Sequence, residues 1–439
     1  MARRLFGTDG VRGVAGELLT AELALALGRA AVEQIGAKHP RVLVIRDTRE
    51  SGEMLESALA AGVASAGGDV FLGGVLPTPG APLLIATHGY DLAAVISASH
   101  NPYRDNGIKF FGADGYKLTD ATEEAIEDRL EAPPLTPTRV GRVARVRGTD
   151  SEYLAAIADR FGTLDLSGTK VLLDCANGAT FHVAPAIFRR LRAQVTVLHD
   201  EPDGRNINEG SGSTHVDALA APMREGGHDI GFAFDGDGDR VLAVDRTGAV
   251  VDGDELIALA ALHLRAAGKL PGNGVAVTVM TNYGFHTAMR DAGIEVATTG
   301  VGDRYVLEEL RRRDWALGGE QSGHIIDLGF NRSGDGIAAA LLTLEALAGG
   351  DLAERHAMER LPQRLVNVGV ADRDAAMESG ELAEAVARES AALEGRGRVL
   401  VRPSGTEQLV RVMVEAPTED EADDSCGRLV DVVQRASGG

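Results

Sequence analysis

Short apolar runs and amphipathic stretches take turns along this chain. Residues 20–35, TAELALALGRAAVEQI, repeat apolar positions at helical spacing and predict a helix. RVLVI (41–45) then predicts a buried strand that ends in the polar RDTRESG. The same alternation returns in TKVLLDCANGAT (169–180) and GVAVTVMTNYGF (274–285), each a Val/Leu-rich strand closed by a polar turn and followed by a helical pattern. The starts lie roughly 100 to 130 residues apart, about one domain each, which fits three related α/β units and equally the several such strands of any α/β protein. EAPPLTPTRV (131–140) is a Pro-rich connector near the end of the first unit. From about Pro362 the pattern changes: two acidic, Ala-rich helical stretches flank GRVLVRPSGTEQLVRVMVEA, which predicts strand, loop, strand. That is the outline of a smaller α+β C-terminal domain.

A further apolar run, DLAAVIS, predicts a buried strand, and SASHNPYRDNGIKFF (97–111) begins where it ends. Its polar, Pro- and Gly-broken residues predict a loop at a strand's carboxyl end, where α/β proteins hold ligands. Ser99 lies beside His100, Asn101 and Pro102, with Lys109 ten residues on. Adjacent side chains on an extended segment diverge, which argues against His100 as a base for Ser99. No GxSxG elbow occurs. Only five of the 44 basic residues are lysines, so a lysine at 109 hints at a group whose pKa can shift. Lys117 close by weakens that hint.

AFDGDGDRVLAV (233–244) places Asp235, Asp237 and Asp239 at alternate positions. On an extended chain these share one face. At ~6 Å and an effective dielectric of ~20, each pair repels by very roughly 3 kcal/mol before screening. A bound hard cation, Mg²⁺ or Ca²⁺, removes that repulsion. A calcium hand would need Gly and Glu where Arg240 and Arg246 stand, so that reading fails. Arg240 can instead help neutralise a phosphate. RPSGTEQLVR (402–411) sets Ser404, Gly405 and Thr406 between Arg402 and Arg411, the material of an anion nest. GGEQSGH (318–324) offers Glu320, Ser322 and His324, a polar turn that can hold sugar hydroxyls. FGTDGVRG (6–13) is a glycine-rich turn ending near Arg12, or a loop feeding the same cleft.

The chain has 439 residues, room for three ordinary domains or four small ones. A net charge of −21 argues against nucleic acid as a partner. Cys175 and Cys426, the two cysteines, give neither a disulfide framework nor metal-ligand spacing, so a reduced cytoplasmic protein is expected. No signal-peptide-like run follows MARRLFGTDG, and no stretch predicts a membrane span.

With these motifs in chain order, the sequence resembles the α-D-phosphohexomutase superfamily nearly end to end. SASHNP resembles its phosphoserine loop, DGDGDR its magnesium loop, GGEQSGH its sugar loop and RPSGTE its phosphate loop. FGTDGVRG, VGDRYV (301–306) and Gln321 resemble the bacterial glucosamine branch more than the mannose/glucose branch. Three departures stand out: Gln408 where proline is usual, Ser211 where cysteine is frequent, and NRSGDGI (331–337) in place of a Thr-rich version.

The resemblance implies three α/β domains and an α+β domain around a central cleft, expected at 1–150, 151–252, 253–362 and 363–439, with the last closing over the cleft. It implies a phosphorylated Ser99 and Mg²⁺ on Asp235, Asp237, Asp239 and a phosphoserine oxygen. Lys109, Arg12 and His100 join Ser99 in the catalytic group, His100 with Asn101 as loop support. Glu320, Ser322 and His324 would hold the sugar. Arg402, Ser404, Gly405, Thr406, Arg411 and Arg240 would hold phosphate. The implied reaction interconverts glucosamine 6-phosphate and glucosamine 1-phosphate through a 1,6-bisphosphate. Glucosamine or glucose 1,6-bisphosphate would act as activator, and a kinase or that bisphosphate would load Ser99. No nucleic acid or membrane partner is implied, and a homodimer is allowed. The alternatives are a phosphomannomutase or phosphoglucomutase, a sugar phosphatase, and a non-catalytic sugar-phosphate sensor.

Overall fold

The computed structural model describes residues 5–7, 9–404 and 407–437. The chain divides into two compact units, one of residues 1–279 and 297–355 and one of residues 280–296 and 356–439.

In the first unit the opening sheet runs in the order Phe6–Gly7, Gly10–Val14, Asp105–Gly112, Leu92–Ile96, Arg41–Arg46, Asp69–Val75, Val143–Arg145. Leu92–Ile96 is buried at every position, as its unbroken apolar run predicts. Val42, Val44, Leu92, Ala94 and Ile96 pack on one side with the helices Ala21–Ile35 and Gly52–Ser65. The helix at 20–35 thus forms as its periodicity predicts, and Thr20 caps it by accepting from Leu23 N–H. Leu43, Ile45, Ala93 and Val95 alternate to the other face and are buried too. The loop expected after Ile96 is shorter than the sequence suggested. Asp105–Gly112 is a strand antiparallel to Leu92–Ile96, and Lys109 pairs in register with Val95. Lys109 is therefore a sheet residue, on the face opposite Ile108 and Phe110.

The second sheet runs Val250–Val251, Val241–Asp245, Ile230–Phe234, Lys170–Asp174, Gln194–Leu198. A third contains Gly274–Thr278, Leu317–Gly319 and Ile325–Asp327. The strands expected at 41–45, 169–180 and 274–285 each belong to a different sheet, so the three-fold α/β repetition is real.

The other unit carries a three-stranded antiparallel sheet with Leu409–Glu415 between Gln363–Gly369 and Arg398–Pro403. Helices Gly380–Ala392 and Glu419–Ser437 supply its core with Leu382, Ala385, Leu429 and Val433. The helix Tyr283–Asp291 belongs here because its start is tied to the buried Glu415. Glu415 accepts from Tyr283 N–H at 2.8 Å and from Arg398 at 2.7 Å. Gly405 and Thr406, two of the phosphate-loop candidates, lie outside the described residues.

The helices Ala21–Ile35 and Gly52–Ser65 touch backbone to backbone. A Cβ at Gly62 would sit 2.0 Å from the Leu25 carbonyl oxygen, and one at Gly28 would sit 2.4 Å from that of Leu59. Neither neighbour is a side chain that can turn away. Gly62→Ala is expected to lower stability by about 1–3 kcal/mol. At the exposed helix position Gly427 nothing lies within 4 Å, and Gly427→Ala is expected to raise stability by about 0.5–1 kcal/mol. Denaturant midpoints of the two variants, moving in opposite directions, check both.

Candidate active site

Ser99 leaves the strand Leu92–Ile96 with φ 51°, in the left-handed region rare for a residue other than Gly, Asn or Asp. Several contacts hold it there. Ser99 N–H donates to Ser97 Oγ at 2.9 Å, and Ser97 Oγ donates to Asp47 at 2.5 Å. Asp47 pairs with the fully buried Arg49. Arg49 Nη2 in turn donates to the carbonyls of Ser99 at 3.1 Å and Asn101 at 2.5 Å. The hydroxyl then points at the second sheet: Ser99 Oγ donates to Asp235 at 2.5 Å.

The left-handed turn also corrects the expectation about His100. The segment is not extended, the two side chains do not diverge, and His100 Nδ1 lies 3.3 Å from Ser99 Oγ. Burial, then Arg240 and Arg12, push the His100 pKa down, so its imidazole is neutral near pH 7.

Asp235, Asp237 and Asp239 converge, with one oxygen from each within 4.8 Å of the others, and all three are buried. The route differs from the extended-chain argument. The residues follow the strand Ile230–Phe234 as a tight turn, closed by Gly238 N–H to the Asp235 carbonyl at 3.1 Å, with Gly238 at φ 72°. Turn geometry, not strand alternation, gathers the carboxylates. Burial, then the charges of Asp237 and Asp239, raises the Asp235 pKa well above the carboxylate range. Asp237 moves the other way. Burial opposes its charge, but Lys109 at 2.7 Å and Thr78 Oγ1 at 2.6 Å outweigh it. Asp237 Oδ1 and Asp239 Oδ1 are buried without a hydrogen-bond partner. Carboxylate oxygens gathered this way, two of them orphaned, fit a hard divalent cation.

Lys109 was expected as a group able to shed its proton. Burial favours that, but Asp237, Asp9 and Asp239 prevail and raise its pKa, so it stays an ammonium beside the triad.

A cavity of about 410 Å³ opens next to this cluster, lined in part by Arg12, His100, Lys117, Asp239, Arg240, Glu320 and His324. Arg12, His100, Arg240, Glu320 and His324, all singled out in the sequence, thus meet at one place. Glu320 accepts from Gly302 N–H at 2.9 Å. Arg240 N–H donates to Asp235 at 3.1 Å. Ser322 is exposed and does not line the cavity.

Three wall residues escaped the sequence reading as site residues: Asp9, Lys117 and Asp303. Lys117 Nζ bonds Asp303 at 2.5 Å and pairs with Asp9, which pairs with Arg12. His324 sits 3.6 Å from both Asp239 and Asp303. Burial alone would lower its pKa; those carboxylates raise it. Asp9 lay inside FGTDGVRG and Asp303 inside VGDRYV, but neither motif says which side chain faces inward.

The other unit holds a second candidate. Arg402 and Arg411 stand directly opposite each other on adjacent strands, and Arg411 Nε is buried without a partner. Burial and then Arg411 lower the Arg402 pKa. Ser404 is buried, and its carbonyl accepts from Arg373 at 2.5 Å, an arginine the sequence reading missed. Like charges placed so suit an anion.

Family models for phosphoglucomutase/phosphomannomutase match the chain almost throughout: domain I over residues 3–135, domain II over 151–248, domain III over 252–365 and the C-terminal domain over 365–432. A Moorella thermoacetica protein named phosphoglucosamine mutase is 53% identical over 428 residues, covering 95% of this chain and 96% of that one. Among solved structures, a phosphoglucomutase/phosphomannomutase family protein from Burkholderia thailandensis superposes with a TM-score of 0.83 at 24% identity, covering 98% of each chain. N-acetylphosphoglucosamine mutase of Aspergillus fumigatus, solved with GlcNAc-6P and magnesium, superposes with a TM-score of 0.72 at 18% identity, covering 99% of this chain and 96% of that one.

The raised pKa of Asp235 gives cation binding a sign. A cation entering the triad displaces the proton that Asp235 keeps, so affinity rises with pH. The expected slope approaches tenfold per pH unit while one proton is released. Isothermal titration with Mg²⁺ and Mn²⁺ over a series of pH values checks it, and Asp235→Asn is expected to flatten the slope.

Proposed function

The chain belongs to the phosphoglucomutase/phosphomannomutase family, and from that premise we propose that it is a phosphoglucosamine mutase, an isomerase interconverting glucosamine 6-phosphate and glucosamine 1-phosphate. The observation that carries this reading is the Ser99 hydroxyl, 2.5 Å from Asp235 at the edge of a buried three-carboxylate cluster. Identity of 53% across nearly the whole chain to a relative of that name favours glucosamine over other hexoses.

In this reading the resting enzyme carries a phosphoryl group on Ser99. The C1 hydroxyl oxygen of glucosamine 6-phosphate attacks the phosphorus and the bond from phosphorus to Ser99 Oγ breaks. Oγ keeps the electron pair and regains a proton. The proton shed by the C1 hydroxyl passes to a base of the cavity, for which neutral His100 is the candidate, and His100, with Nδ1 3.3 Å from Oγ, hands it to the Ser99 oxygen. The 1,6-bisphosphate then turns over. Ser99 Oγ gives its proton to His100 and attacks the 6-phosphorus. The bond from that phosphorus to O6 breaks, and O6 keeps the electron pair and takes the proton from His100. Glucosamine 1-phosphate is released as the phosphoserine is restored. No phosphate is consumed. Asp235, Asp237 and Asp239 would hold Mg²⁺, which when bound neutralises charge on the transferring group. Lys109 keeps Asp237 ionised and oriented, and Arg12 and Arg240 steady phosphate oxygens. Glu320 and His324 hold the sugar. Ser322 joins them only if its loop turns inward. Arg402, Ser404 and Arg411 would grip the phosphate that is not reacting.

Glucosamine or glucose 1,6-bisphosphate would serve as activator and can load Ser99, as can a kinase. Among the described residues no helix is long and apolar enough to cross a membrane. We place the reaction in the cytoplasm, where charged sugar phosphates are retained.

Phosphorus NMR with Mg²⁺, a trace of hexose 1,6-bisphosphate and each of glucosamine, glucose and mannose 6-phosphates tests the reading. The glucosamine 1-phosphate signal should grow fastest, and Ser99→Ala should slow it about a thousandfold or more. A faster glucose or mannose reaction would reassign the substrate. Stoichiometric release of inorganic phosphate would make the protein a phosphatase, and no turnover by a phosphorylated Ser99 would make it a sensor.

A further inference from the structure

Asn208 belongs to the loop that follows the strand Gln194–Leu198 of the second sheet. Its side chain is buried, and its own backbone is left-handed at φ 60°. The amide nitrogen donates to the carbonyl oxygens of Ser99 at 2.9 Å and Asn101 at 3.0 Å. Two carbonyl acceptors settle which way the amide faces, because a flipped amide would press its oxygen against both. In consequence Asn208 Oδ1 is buried with no hydrogen-bond partner. A buried acceptor without a donor is destabilising. The arrangement keeps that defect and in return holds both donors on the Ser99 loop.

The metal loop shares the contact. A Cβ at Gly236 would come within 2.7 Å of both Asn208 Nδ2 and the Ser99 carbonyl oxygen. Arg49 grips the same two carbonyls, but from the sheet that carries Ser99 itself. Asn208 reaches them from the sheet that carries Asp235, and its backbone N–H is anchored on Ala176 O at 2.9 Å. Its amide is therefore one direct tie between the backbone of the Ser99 loop and the second sheet.

We infer that Asn208 is a positioning residue for phosphoryl transfer: it fixes the Ser99 loop against the second sheet so that Oγ faces Asp235. The inference rests on the mutase reading above. Asn208 touches no reacting atom, and its effect is exerted through the Ser99 backbone.

Asn208→Gly isolates the amide, since glycine adopts the left-handed backbone without strain. Asn208→Asp keeps the shape and turns the donor into an acceptor facing two carbonyls. Each is loaded on Ser99 with glucose 1,6-bisphosphate, then compared with the native protein for kcat, KM, thermal melting and the phosphorus resonance of phosphoserine 99. Asn208→Gly is expected to melt cooperatively, keep KM for glucosamine 6-phosphate within about twofold and lose about ten- to a hundredfold in kcat. Its phosphoserine resonance should shift, and Asn208→Asp should lose more.

A native kcat per phosphorylated site in Asn208→Gly, with an unshifted resonance, would overturn the inference. So would a kcat lowered only in proportion to the folded fraction. Should Asn208→Gly not fold, Asn208→Asp carries the same comparison, because Asp also tolerates the left-handed backbone. If the native protein isomerises no hexosamine phosphate, the mutase reading falls, while the resonance comparison still tests the clamp on Ser99.

Discussion

Three carboxylates out of water and within reach of one another are the constraint around which this molecule is arranged. Isolated buried charges neutralise themselves or find partners. Here the three aspartates do it differently. Asp237 keeps its charge because Lys109 and Thr78 sit against it. Asp239 has His324 and Arg240 at 3.6 and 3.8 Å. Asp235, whose pKa burial and the neighbouring carboxylates push up, is left with a hydroxyl and a backbone N–H. That hydroxyl belongs to Ser99, so the carboxylate readiest to trade a proton for a cation touches the group that would carry phosphate. Placing Lys109 in the middle of a strand makes sense in the same terms, since a sheet residue cannot drift from its partner.

The same constraint explains the glycines. Gly238 needs its left-handed backbone, and a side chain there would meet Thr180 Cγ2 at 2.5 Å. Gly236 lets a neighbouring loop come as close as backbone permits. The spacing D-G-D-G-D is therefore a packing statement as much as a chemical one: the acids draw the ligand, and the residues between them let other loops close in.

Much of this was legible because it is local. A buried strand followed by a polar turn is written in consecutive residues, and so the three α/β strands, the Ser99 loop and the aspartate motif could be found before any coordinates. Failures came where a local geometry was assumed. Alternation along an extended chain predicts one shared face for the aspartates, which form a turn instead, and the same assumption argues against His100 although Ser99 is left-handed. The glycine and proline before Lys109 predict a loop there, yet the chain recovers strand pairing within a few residues. Asp9, Lys117 and Asp303 come from three distant segments, each ordinary in its own surroundings. Their ion pairs exist only in the folded state, and no spacing rule could have joined them.

The second candidate site repeats the principle with the sign reversed. Arg402 and Arg411 face each other across a ladder, a like-charge placement that Glu407, 3.7 Å from Arg411, relieves on one side. Val401 pairs with Val412 and Pro403 with Val410 on either side, and these alternate to the opposite face, where Val410 and Val412 join the core. Clustered acids suit a cation, and opposed arginines suit an anion. Each site gains most when its ligand neutralises it, so ligand binding and local stability are one quantity here.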